Sequence, residues 1–177
     1  MHHKVLEQQL QNILAPGVYI LKHNVKLGII ALFKPSGILS HPNSSLSIDG
    51  RSILNLPYNL KTESFYCKGS PFFSQFHLLH RIDLTTSGIL LISYVEDTAL
   101  KVKKMFEDRI VRKKYIACCF GRLAAGEIYW KDSIEVRKEN GRTVCRITSS
   151  DIQKTKVAET KVLEKKWNHE KRISMIE

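Results

Sequence analysis

Leu6, Leu10, Ile13 and Leu14 recur at the three- and four-residue spacing of one helix face, and Pro16 with Gly17 ends the pattern. A short N-terminal helix is therefore predicted. The pattern then changes. "VYILKHN" and "LGIIALFK" are dense in β-branched and apolar residues with a short break between them, which predicts two sequential strands in a hairpin, closed by a "KPSG" turn. From Ile38 to Ser74 apolar residues stand alone among Ser, Asn, Pro and Gly, so this stretch is predicted to be a long loop with short elements, of the kind that usually carries a function or is disordered. "GILLIS" is predicted to be a buried strand, and "EDTALKVKKMFEDR" a helix with Val102, Met105 and Phe106 on one face, acids at its start and Arg109 at its end. Beyond it, "IVRKKYIACCFG" is predicted to be a strand, with Cys118 and Cys119 facing opposite ways. "SIEVRKENGRTVCRITSS" predicts a hairpin about Asn140 and Gly141, and "AETKVLEKKW" with "KRISMIE" a second strand pair about Asn168 and His169.

Few helices among many short, locally connected strands predict an α+β fold: a mostly antiparallel mixed sheet with few flanking helices. With 177 residues the chain has room for one ordinary core, and the expected organisation is a helical extension over residues 1–17 followed by one domain over 18–177. Composition adds a direction. There are 28 Lys and Arg against 17 Asp and Glu, a net charge of +11, which favours a polyanionic partner, nucleic acid before a membrane surface. The N-terminus lacks the continuous apolar centre of a signal peptide, and the longest apolar stretch, Leu27 to Phe33, falls far short of the about 18 residues of a membrane span, so a cytoplasmic protein is expected. The 4 cysteines show no CxxC spacing and the 7 histidines no HExxH pattern, so no metal site is expected. Neither GxGxxG nor GxxxxGK[ST] occurs, which leaves dinucleotide and nucleoside-triphosphate chemistry unsupported.

The segment with the most chemistry is "HLLHRIDLTTSGILLIS". Two readings of Asp83 are open on local grounds. Its carboxylate can tie off an Asx turn that Thr85, Thr86 and Ser87 extend and Gly88 relaxes, with Arg81 a surface ion-pair partner and His80 a partly buried, hydrogen-bonded ring. It can instead do chemistry. A carboxylate two residues from a guanidinium in extended backbone shares a face with it and is favoured in its ionised form.

"HRIDLTTSGILLIS" resembles the "HRLDxxTSGLLLxA" signature of the RluA-type RNA pseudouridine synthases, with Ile82 where that family usually has Leu. In family order, "IIALFKPSGILSHP" is similar to its "vvnKPxGlxvhp" segment, "VRKKYIACCFG" to "vxKxYxAlvxG", and "VAETKVLEKKW" to "AxTxfxvl". The resemblance implies a pseudouridine-synthase-like bisected antiparallel sheet with an RNA-binding cleft, and isomerisation of uridine to pseudouridine in tRNA or rRNA without cofactor or metal. It implies no obligate protein partner. It makes Asp83 the catalytic residue, and places Arg81, Tyr115, His80, Thr86 and Lys114 at the RNA, with Tyr115 stacking on the target base. Lys34 and Pro35 match the family's "KP" pair, either as contacts or as a plain turn.

The chemistry agrees with that assignment. The N1–C1′ bond must break and C5 must join C1′, and one carboxylate suffices, as nucleophile or as base at the sugar, because the uracil stays in place and no water is activated. The base must first leave its stack, and an aromatic platform recovers about 1 to 3 kcal/mol of that cost. Lys101, Lys103, Lys104, Arg109, Arg112, Lys113 and Lys114 would supply the electrostatic surface. The family pattern continues into "TGRxHQIRxH", with an arginine that pairs with the aspartate, whereas this sequence stops at "RISMIE". The expectation is thus a C-terminally incomplete catalytic domain in which Asp83 lacks that cation, or alternatively an inactive remnant that only binds RNA.

Overall fold

The alternation of the hairpin residues is realised in a computed structural model that describes residues 2–43, 50–124, 126, 128–139, 142–148 and 155–177. Strand β1 (Tyr19–Asn24) pairs antiparallel with β2 (Ile29–Lys34), and β2 pairs in turn with β6 (Gly88–Ser93). Every second residue of β2 is buried: Ile30, Leu32 and then Lys34. Opposite them on β6 stand Ile92, Leu90 and Gly88. The inward face of this strand pair therefore ends on a lysine that faces a residue without a side chain.

The sheet continues through β5 (Gln75–Leu78), β4 (Ser64–Tyr66) and β3 (Tyr58–Asn59), giving the order β1-β2-β6-β5-β4-β3. Helix α1 (His2–Ile13) delivers Leu10 into the core formed by Ile30, Leu32, Ile53, Leu54, Tyr58, Phe65, Phe76, Leu90 and Ile92. Leu14, just past the helix, joins that core; the side chain of Leu6 lies outside the described residues. Each such fully buried aliphatic or aromatic side chain contributes about 1.5 to 3 kcal/mol. Much of this core comes from the stretch expected to be loop. Ile53, Leu54, Tyr58, Phe65 and Phe73 are all buried, although no periodic run announces them. Residues 44–49 of that stretch lie outside the described residues.

Helix α2 (Glu96–Glu107) ends in a Schellman pattern, with Ile110 N–H bonded to Met105 O and Arg109 N–H to Phe106 O, and Arg109 takes a left-handed φ of 57°. Its buried residue is Ala99, and Val102, Lys103 and Phe106 are half-buried beside it. Met105 is 42% exposed, so the predicted face of Val102, Met105 and Phe106 is corrected to one that turns Met105 to solvent.

Contacts divide the chain into two compact units, Met1–Arg112 and Lys113–Glu177. The strands lie in three sheets, one in the first unit and two in the second. The second unit holds β7 (Ala117–Phe120), β8 (Tyr129–Glu139), β9 (Arg142–Ile147), β10 (Thr155–Lys161), β11 (Lys165–Asn168) and β12 (Ile173–Ile176). They form two antiparallel sheets, β10-β8-β9 and β11-β12-β7.

Three expectations change here. The strand foreseen over "IVRKKYIACCFG" is only Ala117–Phe120, because the basic run before it is solvated and makes no ladder. The single strand foreseen over "AETKVLEKKW" breaks at Val162, whose buried side chain and the Leu163–Glu177 backbone bond turn the chain from the β8 sheet into the β12 sheet. Arg172 lies in the β11–β12 turn with φ 51°, not in a strand. The β8–β9 hairpin forms as predicted, with Glu139 opposite Arg142, and its apex at 140–141 lies outside the described residues. Cys119 is the more buried of the cysteine pair, as alternation requires.

Candidate active site around Asp83

Strand alternation sends Lys34 into the interior, where its ammonium must find acceptors. It finds them in two loops. Nζ donates to Pro35 O at 3.0 Å and Ile38 O at 2.6 Å on its own side, and to Leu84 O at 3.4 Å across the sheet end. Gly37 N–H also donates to Leu84 O, at 2.8 Å, and Gly37 meets the turn's demand for a φ of +87°. Two residues back, Ser40 grips the same loop a second time. Its hydroxyl donates to Ile82 O at 2.7 Å and accepts Ile82 N–H at 3.2 Å. The residues on either side of Asp83 are thus both fixed to the "KPSGILS" segment, while Asp83 itself is exposed.

The turn is closed through its backbone. Thr86 N–H closes it on the backbone carbonyl of Asp83 at 3.1 Å, so the carboxylate is not used as an Asx cap. Among the described residues, that carboxylate has no hydrogen-bond or ion-pair partner. It faces a cavity of about 340 Å3 lined by Leu39, Ser40, His41, Asn43, Arg81, Ile82, Asp83 and Leu84, a volume within the usual range of small-ligand sites. The nearby cation is Lys34. Burial pushes the Lys34 ammonium below the ordinary lysine value, and the negative charge of Asp83 pushes it back up.

Arg81 lines the same cavity as Asp83, though the backbone there is not a strand. Among the described residues its guanidinium forms no ion pair. Nη1 instead donates to His41 Nε2 at 3.0 Å. His41 and Ser40 are the site residues that sequence reasoning missed. Both sit in the quoted "GILSHP" string, but their partners lie 40 and 42 positions away, beyond the reach of local spacing.

The other candidates divide. Thr86 is half-buried within the turn. His80 accepts the Leu91 N–H on Nε2 at 3.2 Å and stacks against Phe106 of α2, with ring centroids 4.7 Å apart. It is not among the residues lining the cavity. Tyr115 and Lys114 belong to the second unit, in the irregular stretch before β7. Tyr115 is 52% exposed, and Lys114 is ion-paired with Glu177. Of the basic side chains expected to face a polyanion, Lys103 pairs with Glu63 and Lys104 with Asp108, so part of that surface is neutralised within the chain. A second cavity, about 390 Å3, lies in the second unit against Arg122, Lys165, Lys166 and Trp167, with no carboxylate among the described residues that line it.

Among the described residues, no group of three or more His, Cys, Asp or Glu is placed to hold a metal ion, and no helix is long and apolar enough to cross a membrane.

Residues 28–176 match the family model described as RNA pseudouridylate synthase. Among curated proteins, the ribosomal large subunit pseudouridine synthase C of Rickettsia typhi is 32% identical over 132 residues, covering 75% of this chain and 39% of that protein. The dual-specificity RNA pseudouridine synthase RluA of Yersinia pestis is 31% identical over 99 residues, covering 56% of this chain and 42% of its own. The chain thus spans less than half the length of these relatives. Among solved structures, human RNA Pseudouridylate Synthase Domain Containing 4 aligns with a TM-score of 0.55 at 20% identity, over 99% of this chain and 62% of that one. The fold, antiparallel sheets with few helices, is that of this group.

Proposed function

The chain belongs to the RNA pseudouridylate synthase family, and on that premise we propose that it isomerises uridine to pseudouridine in RNA, with Asp83 as the catalytic residue. The observation that carries the reading is the presentation of Asp83. Its flanking residues are locked to the strand end by Ser40, Gly37 and Lys34, and its carboxylate is left open to a cavity of about 340 Å3 that Arg81 also lines. A turn that only needed closing has no use for this.

Asp83 acts at the sugar, as nucleophile or as base, while the N1–C1′ bond breaks. The uracil turns in place and C5 joins C1′. N1 takes up a proton and the hydrogen of C5 leaves to solvent, so the reaction needs no redox partner. Both roles use the carboxylate as an electron-pair donor, and Lys34 is a positive charge that interacts with it. Arg81 contacts the RNA where the base has left its stack, with Thr86 in the same turn, and the exposed ring of Tyr115 is a face on which a base can stack.

The substrate is tRNA or rRNA in the cytoplasm. Several relatives are named as ribosomal large subunit synthases, which makes large-subunit rRNA the first to offer. The test is release of tritium from RNA carrying 5-tritiated uridine. The full chain releases tritium and Asp83→Ala releases none; release that survives intact in Asp83→Ala overturns the assignment. Salt-sensitive RNA binding with no release by the unsubstituted chain would favour the RNA-binding remnant instead.

A further inference from the structure

We propose that His41 is a positioning residue for Arg81: a neutral imidazole, fixed in one tautomer, whose Nε2 lone pair holds the guanidinium in its working orientation beside Asp83. The inference deepens the reading above and rests on it for the use of Arg81, but its geometry stands apart from that reading.

The tautomer follows from the partners. His41 Nδ1 lies 2.8 Å from the carbonyl oxygen of Pro42, which can only accept, so Nδ1 carries the hydrogen. Nε2 lies 3.0 Å from Arg81 Nη1, which can only donate, so Nε2 carries a lone pair. Both demands are met by the same neutral form and by no other. A doubly protonated ring would set a second donor against the guanidinium, and the opposite tautomer would break both bonds at once.

The ring is also held in its plane. It stacks on Tyr58 with centroids 4.8 Å apart and an angle of 10° between planes, and Tyr58 is itself buried against Phe65. Pro42, the acceptor's residue, is fully buried. The chain of support runs from the core through Tyr58 and His41 to Arg81. A long, exposed arginine would otherwise sample many rotamers, and ordering it in advance removes that entropy from the barrier to the chemical step. The arrangement has the logic of an imidazole oriented through its far nitrogen, with an arginine as the group oriented.

The first measurement needs no activity. In the 15N-labelled full chain, His41 Nε2 is expected to resonate as an unprotonated, pyridine-type nitrogen, with a scalar coupling across the hydrogen bond to Arg81 Nη. A proton on Nε2 overturns the proposal. The second is kinetic, on 5-tritiated RNA. His41→Phe keeps the stack on Tyr58 and removes the acceptor, so kcat is expected to fall about tenfold or more with little change in KM and melting. His41→Gln, whose side-chain oxygen can accept from Arg81, recovers most of the rate. In an Arg81→Ala background His41→Phe has no further effect. Wild-type kinetics in His41→Phe, or its full effect persisting on top of Arg81→Ala, overturns the proposal. If the unsubstituted chain releases no tritium, the functional reading fails, and the nitrogen resonance alone then decides the role of His41.

Discussion

Replacing Ser40 with alanine removes one hydroxyl and strips two backbone groups of their partner, because Ile82 N–H and Ile82 O both bond to that oxygen, at 3.2 and 2.7 Å. Ser40 is only 6% exposed, so water reaches the vacated site poorly. An unsatisfied buried backbone group costs about 1 to 3 kcal/mol. Ile82 is half-buried and regains some solvation, which sets the two groups near the low end, about 2 kcal/mol together. For a unit of this size that is a fall of roughly 8 °C in melting midpoint. The effect on chemistry should be larger than the effect on stability. Ile82 is the residue before Asp83, and a displacement of about 1 Å at a catalytic group costs about 100-fold in rate. Circular dichroism reads the first effect, tritium release the second, and hydrogen exchange at the Ile82 amide reports the lost bond itself. Ser40→Ala that melts with the unsubstituted chain, keeps Ile82 protected and releases tritium at full rate refutes the claim that Ser40 holds the Asp83 loop.

Two further predictions follow from buried basic groups. Lys34→Met leaves the carbonyls of Pro35, Ile38 and Leu84 without their charged donor and removes a positive charge that interacts with Asp83; we expect a loss of about 3 kcal/mol by urea denaturation and a lower rate of tritium release, and a methionine variant as stable and active as the parent would contradict this. His77 is buried, and its Nε2 has no hydrogen-bond partner among the described residues. Burial holds it below the ordinary histidine value, with Glu96 opposing and Lys103 adding to the effect. The unfolded chain therefore takes up a proton that the folded one refuses, so stability is lost as pH falls from the ordinary value of 6.5 toward the depressed one, with a slope of at most about 1.4 kcal/mol per pH unit. His77→Leu should flatten that part of the melting-versus-pH curve, and an unchanged slope would show that the proton goes elsewhere.

What was legible in the sequence was what depends on short spacing. The β1–β2 hairpin, β6 and α2 are periodic runs with turn residues at their ends, and they form where expected. β5 escaped notice because it is four residues long and half polar, "QFHL", and because its burial comes from being flanked by β4 and β6. The core residues between Ile38 and Ser74 escaped for a related reason: Ile53, Tyr58 and Phe65 are each buried by long-range neighbours rather than by a face of their own element. In the site, Asp83 and Arg81 were readable from one motif. The groups that determine their environment were not, since Lys34, Ser40 and His41 act on residues 40 to 50 positions away.

The strand period itself connects fold and site. If β2 ended one residue earlier, its inward face would finish on Leu32, and nothing would bind the two loops at the sheet end together. By running to Lys34, opposite Gly88, the alternation places an ammonium where only backbone carbonyls can satisfy it. Those carbonyls belong to the turn after β2 and the turn before β6, so meeting the demand of one buried lysine joins both turns. Ser40 and Gly37 then fix the residues on either side of position 83, leaving its side chain as the one group there with no internal partner among the described residues. A rigid backbone and an unpartnered carboxylate usually conflict, because ordering a loop tends to use its polar side chains. Here the lysine and the serine order it through main-chain atoms alone, which is how an exposed aspartate can be both fixed and available.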